Sequence, residues 1–139
     1  MKKPFDIIDH TADVGIAAYG SDIKQLFSNA ALALFSLIID IRSIKEKLQH
    51  RVEINSENRD NLLVEWLNEL IYLFDAEHLL FNHCEIERLN DNQLEAICYG
   101  EKLDLARHRI KTEVKAATYY MLEVVVDSRG YRAKVIFDI

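Results

Sequence analysis

The chain contains, at residues 9–15, the sequence Asp-His-Thr-Ala-Asp-Val-Gly, which brings two carboxylates, an imidazole and a hydroxyl close together. Residues 4–8 before it predict a short strand, and residues 14–19 after it predict a second strand that ends at Gly20. The polar run therefore lies at a bend between two strands. A bend carried by a rigid scaffold is a position at which proteins commonly present binding groups.

A second acidic end occurs at residues 135–139, where the strand-like sequence Val-Ile-Phe-Asp-Ile places the terminal carboxylate beside Asp138. Together with Asp9 and Asp13, these groups make an oxygen-rich set without a cysteine partner. Calcium and magnesium bind carboxylate, carbonyl and water oxygens, and calcium takes about 6–8 of them. The alternative is that these residues are turn and cap residues on a solvated edge, since the sequence does not require the two chain ends to meet.

The length and composition indicate one domain over residues 1–139, because 139 residues suffice for one well-filled core. No apolar run approaches the ~18–20 residues that span a bilayer, and no signal-peptide pattern opens the chain, so we expect a soluble cytoplasmic protein without a membrane role. Cys84 and Cys98 are too few and too isolated for a disulfide framework or a zinc site, and we expect buried or half-buried thiols.

The charge balance bears on the class of partner. A net charge of −6 argues against general nucleic-acid binding, which depends on neutralising phosphates with Lys and Arg. Basic residues do gather between positions 102 and 115, but acidic residues dilute them, and such runs are usually solvated faces. We therefore expect any RNA-related role to act through a protein partner.

Two segments predict amphipathic helices that face the core. In the first, Asp22 and Gln25 have the spacing of a capping box, and residues 23–38 place apolar side chains at helical intervals. Alanines in its middle suggest close approach to a sheet. The second helix follows the polar connection at residues 56–61 and carries Trp66 on its apolar stripe, most simply as a core anchor.

The rest of the chain reads as β-structure. Strands are predicted at residues 51–55, 79–89, 93–100, 109–117, 119–126 and 131–138. Turns rich in Asn, Asp, Ser and Gly separate the hairpin partners. We therefore predict an α+β fold in which two amphipathic helices pack on a predominantly antiparallel or mixed β-sheet.

Catalytic signatures are sparse. A metal-dependent hydrolase centred on Asp9, His10 and Asp13 is one interpretation, but such enzymes usually need several His and Asp ligands and a water-activating group. The other histidines are scattered, without H-x-x-x-H or H-E-x-x-H spacing. Nucleophile-elbow and nucleotide-loop motifs do not occur. A binding role ranks above a hydrolase.

Four segments taken together resemble the archease family. They are Asp-His-Thr-Ala-Asp-Val-Gly at 9–15, Leu-Leu-Val-Glu-Trp-Leu-Asn-Glu-Leu at 62–70, Ile-Lys-Thr-Glu-Val-Lys-Ala-Ala-Thr-Tyr at 110–119 and Val-Ile-Phe-Asp-Ile at 135–139. Their order and the chain length fit as well. The chain departs from the family at Tyr120, where histidine is expected after the Thr-Tyr pair, so no role is carried over to that side chain.

The resemblance implies an α+β protein that is not itself an enzyme and that activates the RtcB-type RNA-splicing ligase, which joins tRNA halves after intron removal. Archeases promote guanylylation of a histidine on that ligase, restore it for further turnovers and widen its choice of nucleotide triphosphate. The resemblance also implies a divalent-metal site, described with calcium, formed here by Asp13, Asp138 and Ile139, the last through its backbone or terminal carboxylate. Contact with tRNA would be indirect, through the ligase.

A function from another class also fits the sequence. The chain could be a general chaperone or adaptor for RNA-modifying enzymes that uses its apolar faces or the late β-structure as the contact. That role predicts activity that tolerates both Asp13→Ala and removal of metal.

Overall fold

The computed structural model describes residues 3–9 and 13–139. Along this part of the chain, two strands precede the first helix, one strand separates the two helices, and five strands follow the second helix. Their bounds are β1 (Phe5–Asp9), β2 (Asp13–Gly20), α1 (Ile23–Ile38), β3 (Leu48–Asn55), α2 (Arg59–Glu77), β4 (Leu79–Leu89), β5 (Gln93–Lys102), β6 (Ala116–Ala117), β7 (Glu123–Asp127) and β8 (Gly130–Asp138), with a single 3-10 turn at Ile41–Ser43.

The strands form two antiparallel sheets. One sheet has five strands in the order β1-β2-β8-β6, with β7 also paired to β8, and the other has three strands in the order β3-β5-β4. A continuous cluster of buried apolar side chains contains residues from both sheets and both helices. The predicted α+β class is confirmed, and the strands divide between two sheets where one had been expected.

Helix α1 begins as its sequence predicts. Asp22 is the N-cap and its carboxylate accepts a hydrogen bond from Gln25 N at 2.8 Å, while the Gln25 side chain accepts from Ser21 N at 2.6 Å. The first bond satisfies an amide that the first helical turn leaves without a partner, and the second ties the residue before the cap to that turn. The alanines in the middle of the helix are buried, and their small side chains let the backbone of α1 approach β2 and β4 closely.

Helix α2 is tied to α1 by the chain's tryptophan. Asn58 caps the helix by accepting from Asn61 N at 2.9 Å. Trp66 lies about two helical turns after this cap, is fully buried, and its indole Nε1 donates to Phe27 O in α1 at 3.0 Å. The predicted role of Trp66 as a core anchor is confirmed, and its polar N–H joins the two helices.

The predicted strand at residues 109–117 is wrong for most of its length, since only Ala116–Ala117 pair as β6. Exposed side chains do alternate with buried or half-buried ones through the segment. This alternation arises because successive side chains of any extended chain point to opposite sides. Its backbone bonds go to different elements, however: Lys111 N donates to Ile38 O at 2.7 Å, and Lys115 N donates to the last carbonyl of β8 at 2.8 Å. A continuous ladder therefore does not form.

A buried carboxylate fastens the beginning of this extended segment. Glu101 is only 2% exposed and accepts hydrogen bonds from Lys45 N at 2.7 Å, from His108 Nε2 at 3.0 Å and from the Arg107 guanidinium. Burial alone raises the pKa of the Glu101 carboxyl, but these three donors outweigh it and hold the pKa at about 2. The donors stabilise the ionised form and so hold the segment against β5.

Within residues 3–9 and 13–139, none of the helices is long and apolar enough to cross a membrane.

The tryptophan anchor generates the first prediction. Trp66→Ala should lower the free energy of unfolding by about 3–5 kcal/mol, and Trp66→Phe by roughly 1–3 kcal/mol, because the former empties a core site and the latter mainly loses the indole hydrogen bond. Tyr72→Ala is the matched control, since Tyr72 lies on the same helix with 57% of its surface exposed. Urea unfolding should place the control within about 0.5 kcal/mol of the wild type. Equal losses for Trp66→Ala and Tyr72→Ala would contradict the anchor.

The buried carboxylate generates a prediction about acid stability. The pKa of Glu101 falls from 4.5 to about 2 on folding, so the stabilisation is complete above pH 4.5 and is lost as the pH falls from 4.5 towards 2, up to about 3 kcal/mol. Glu101→Gln should destabilise the protein at pH 7 and flatten the dependence of the urea midpoint on pH in that window. Asp75→Asn, which removes an exposed carboxylate, should keep the wild-type slope. An unchanged slope in Glu101→Gln would show that other carboxylates set the acid limit.

Candidate functional site

The two acidic ends of the chain meet in the five-stranded sheet. Strand β2 begins at Asp13, strand β8 ends at Asp138, and these two residues are directly opposite each other in the antiparallel register. Side chains at opposed positions of an antiparallel pair lie on the same face, with Cβ atoms about 4.5–5.5 Å apart. One carboxylate oxygen of Asp13 is buried, whereas Asp138 is exposed. The pair therefore lies at the edge between core and solvent.

The end of β8 is held on its other side by β6. Ala116 pairs with Asp138, and Lys115 N donates to Asp138 O at 2.8 Å. Ile139 follows directly and is 44% exposed, so it lies at the surface next to Asp138 in the chain. Asp13, Asp138 and Ile139, which the sequence analysis singled out, are thus neighbours.

Asn68 of α2 contributes to this arrangement, and the sequence analysis missed it. Its side-chain Nδ2 donates to Ala117 O at 3.1 Å and its Oδ1 accepts from Ala117 N at 2.8 Å. The amide side chain thus acts as a substitute for a neighbouring strand and fixes β6 against α2. Because β6 in turn pairs with Asp138, Asn68 supports the acidic end indirectly. The sequence feature that could have identified Asn68 is a polar residue beside the apolar stripe of a core-facing helix.

The other residues of the polar bend are less informative. Asp9 ends β1 opposite Val14 and is exposed, so it lies near the acidic end. His10 falls outside the described residues. Among residues 3–9 and 13–139, no group of three or more His, Cys, Asp or Glu side chains is placed to hold a metal ion. A metal at Asp13 and Asp138 would therefore need oxygen ligands of other kinds.

Tyr120 lies on an exposed turn. Thr118 anchors the start of the turn, since its N–H and its hydroxyl both donate to Ile136 O, at 3.0 and 2.7 Å. Leu122 N then donates to Tyr119 O at 3.2 Å and closes the turn. Tyr120 is 61% exposed, and the turn delays the start of β7 relative to the predicted strand at residues 119–126.

The chemistry of the acidic end follows from its charges. Two carboxylates opposed on one face of a sheet repel each other and destabilise the pairing. A bound cation would remove that repulsion, and a set made only of carboxylate and carbonyl oxygens suits a hard divalent cation such as calcium or magnesium. The metal site that the sequence analysis placed at Asp13, Asp138 and Ile139 stays a prediction.

Comparison with known proteins identifies relatives along nearly the whole chain. The model of the Archease protein family matches residues 5–139. The archease of Methanosarcina mazei is 36% identical over 141 aligned positions, covering 99% of this chain and 97% of its own. The archease of Pyrococcus furiosus is 38% identical over 142 positions, covering 99% of both chains. Both relatives are therefore similar to this chain from end to end.

Two solved structures share the fold. The solution structure of protein 1598 of Methanobacterium thermoautotrophicum superposes with a TM-score of 0.80 at 34% identity, over 98% of this chain and 99% of its own. The crystal structure of an archease from Thermotoga maritima, described as a possible chaperone, has a TM-score of 0.65 at 24% identity, over 100% of this chain and 98% of its own. The latter likeness concerns the fold alone. From the family match and the curated relatives, we conclude that this chain belongs to the Archease protein family.

Proposed function

We propose that this protein is a non-enzymatic activator of an RtcB-type RNA-splicing ligase in tRNA splicing. It promotes guanylylation and multiple turnover of the ligase through a divalent metal ion. The ion is calcium, and it is bound at the acidic end formed by Asp13 and Asp138. Membership of the Archease protein family supports the partner class. The protein acts on the ligase and reaches tRNA only through it, in the cytoplasm.

The observation that carries the metal site is the opposition of Asp13 and Asp138 across β2 and β8. Their two carboxylates, together with the backbone or terminal carboxylate of Ile139, would hold the ion. Calcium takes about 6–8 oxygen ligands, so water or the partner must complete the set. When bound, the ion supplies positive charge at an otherwise acidic surface.

The position of the acidic end supports action on a partner. Asp138 and Ile139 are exposed at the end of β8. From this position they can enter a concave active site of another protein. The net charge of −6 disfavours direct binding to RNA phosphates. Docking of this end at the ligase active site would place the metal where guanylyl transfer takes place.

The second candidate is a chaperone or adaptor for RNA-modifying enzymes. The exposed turn favours it, because Tyr119, Tyr120 and Met121 are each about half exposed or more and give a continuous aromatic and apolar contact. The Thermotoga maritima archease, which shares the fold, is described as a possible chaperone. This role depends on the turn and not on the acidic end, so variants separate the two candidates.

Ligation assays give the principal prediction. In multiple-turnover RNA ligation by the cognate ligase with GTP and divalent metal, the wild-type protein should stimulate product formation. Asp13→Asn and a variant that ends at residue 137 should lose most of the stimulation, at least about tenfold, because charged oxygen ligands are removed. Asp75→Asn, which neutralises an exposed acid on α2, should stimulate as the wild type does.

Calcium binding measured by titration calorimetry provides an independent readout of the same variants. Binding should be present in the wild type and in Asp75→Asn and absent in Asp13→Asn. If the wild type and all of the variants stimulate ligation equally, the surface that acts on the ligase lies away from the acidic end, and the exposed turn is favoured. Absence of stimulation by the wild type would reject the ligase as the partner.

The Asn68 contacts generate a further prediction. Asn68→Ala should weaken calcium binding and ligase stimulation by about tenfold, the usual effect of losing a residue that supports metal ligands without touching the ion. The reason is that β6 loses two hydrogen bonds and no longer holds the end of β8. Tyr72→Ala, on the exposed face of the same helix, should change neither quantity. If Asn68→Ala lowers the thermal stability but binds calcium with wild-type affinity, Asn68 has no positioning role.

A further inference from the structure

The two cysteines of the chain lie side by side. Cys84 in β4 and Cys98 in β5 are directly opposite in the antiparallel register, and their Sγ atoms are 2.8 Å apart. Both cysteines are free, buried thiols as expected, but they are in contact with each other, which the sequence analysis did not foresee. The β4–β5 hairpin brings together two thiols that are 14 residues apart in sequence.

The geometry of this pair suits a disulfide. Opposed residues of an antiparallel pair have Cα atoms about 4.5–5.5 Å apart, which falls within the range of about 4.4–6.8 Å found for disulfides. An S–S bond is about 2.05 Å long. The two sulfur atoms need only a small approach to reach it, without a change in the register of the strands.

The surroundings allow small oxidants and exclude large ones. Cys98 is fully buried and Cys84 is 4% exposed, so another protein cannot reach either thiol. A cavity of about 140 Å³ between α1 and β4 is lined by Cys84, together with Ser28 and His83 among others. Since a water molecule occupies about 30 Å³ in the liquid, a molecule of the size of hydrogen peroxide fits this cavity.

We propose that Cys84 and Cys98 form a reversible intramolecular disulfide, a redox modification site whose oxidant is a small peroxide. One thiol, as its thiolate, attacks a peroxide oxygen; the O–O bond breaks, and a sulfenic acid and water form. The second thiol then attacks the sulfenic sulfur, the S–S bond forms, and the sulfenic oxygen leaves as a second water. In total, two thiols and one hydrogen peroxide give one disulfide and two water molecules.

The buried position of the two thiols determines the rate of the first step, and their contact determines that the product is a disulfide. Burial, with the hydrogen bond to Cys98 in addition, raises the pKa of the Cys84 thiol well above its ordinary value, so few thiolates form at neutral pH and the first step is slow. The second step is fast by comparison, because the attacking sulfur is already in contact. Sulfenic acid therefore proceeds to the disulfide before a second peroxide can oxidise it further.

The bond would tighten the packing beneath α1. Ser28 Oγ in that helix donates to Cys84 O at 2.6 Å, so a cross-link at Cys84 also restrains the contact between α1 and β4. The pair lies in the three-stranded sheet, whereas Asp13 and Asp138 lie in the five-stranded sheet. The modification is thus independent of the proposed metal site and of the proposed function.

The test uses the reduced, folded, full-length protein with hydrogen peroxide. After quenching, the chain is unfolded, free thiols are alkylated, and the intact mass is measured. We expect both thiols to disappear together, with loss of the mass of two hydrogen atoms, a monomer on a non-reducing gel, and full recovery of the thiols after treatment with dithiothreitol. Thiols that persist in the folded protein but are oxidised in urea would overturn the proposal.

Two single variants complete the test. Cys84→Ala and Cys98→Ala each retain one thiol without its neighbour, and peroxide should produce no loss of two hydrogen atoms in either. Gain of oxygen atoms in the wild type, without that loss, would show independent oxidation of the two thiols and overturn the proposal, as would a disulfide-linked dimer. The wild-type measurement stands by itself if either variant fails to fold.

Discussion

The antiparallel pairing of β2 with β8 is the interaction on which the rest of this structure depends. It joins the beginning and the end of the chain over the register from Asp13↔Asp138 to Gly20↔Tyr131 and forms the centre of the five-stranded sheet. A slip of one residue would turn the fully buried Ile16 towards the opposite face and separate the two aspartates. Burial of the apolar face thus determines the register, and the register determines the acidic end.

The structure treats its carboxylates in two different ways. Glu101 is buried, and three hydrogen-bond donors from two segments of the chain hold it ionised. Asp13 and Asp138 are opposed to each other at the boundary with solvent, where like charges weaken the pairing. The first arrangement is typical of a structural carboxylate that fastens a loop. In the second, a bound cation would remove the repulsion between the two carboxylates, and this contrast underlies the proposed metal site.

The sequence predictions were accurate where the interactions join residues close in sequence, and they failed where the interactions join residues far apart in sequence. Helices α1 and α2 were predicted well because capping residues and apolar spacing act within a few residues. The segment at residues 109–117 was predicted as a strand because its side chains alternate, but alternation belongs to any extended chain. Whether such a segment joins a ladder depends on neighbours that are distant in sequence, and here only Ala116–Ala117 found one.

The sequence by itself determined the fold class, the cap of α1, the identity of the core anchor Trp66 and the presence of acidic groups near both ends of the chain. Only the tertiary structure decided that Asp13 faces Asp138, that Asn68 supports β6, and that Cys84 touches Cys98. The physical reason is the same in each case. Local backbone preferences can be read from neighbouring residues, whereas these contacts depend on strand register and on packing between elements that are far apart in the chain.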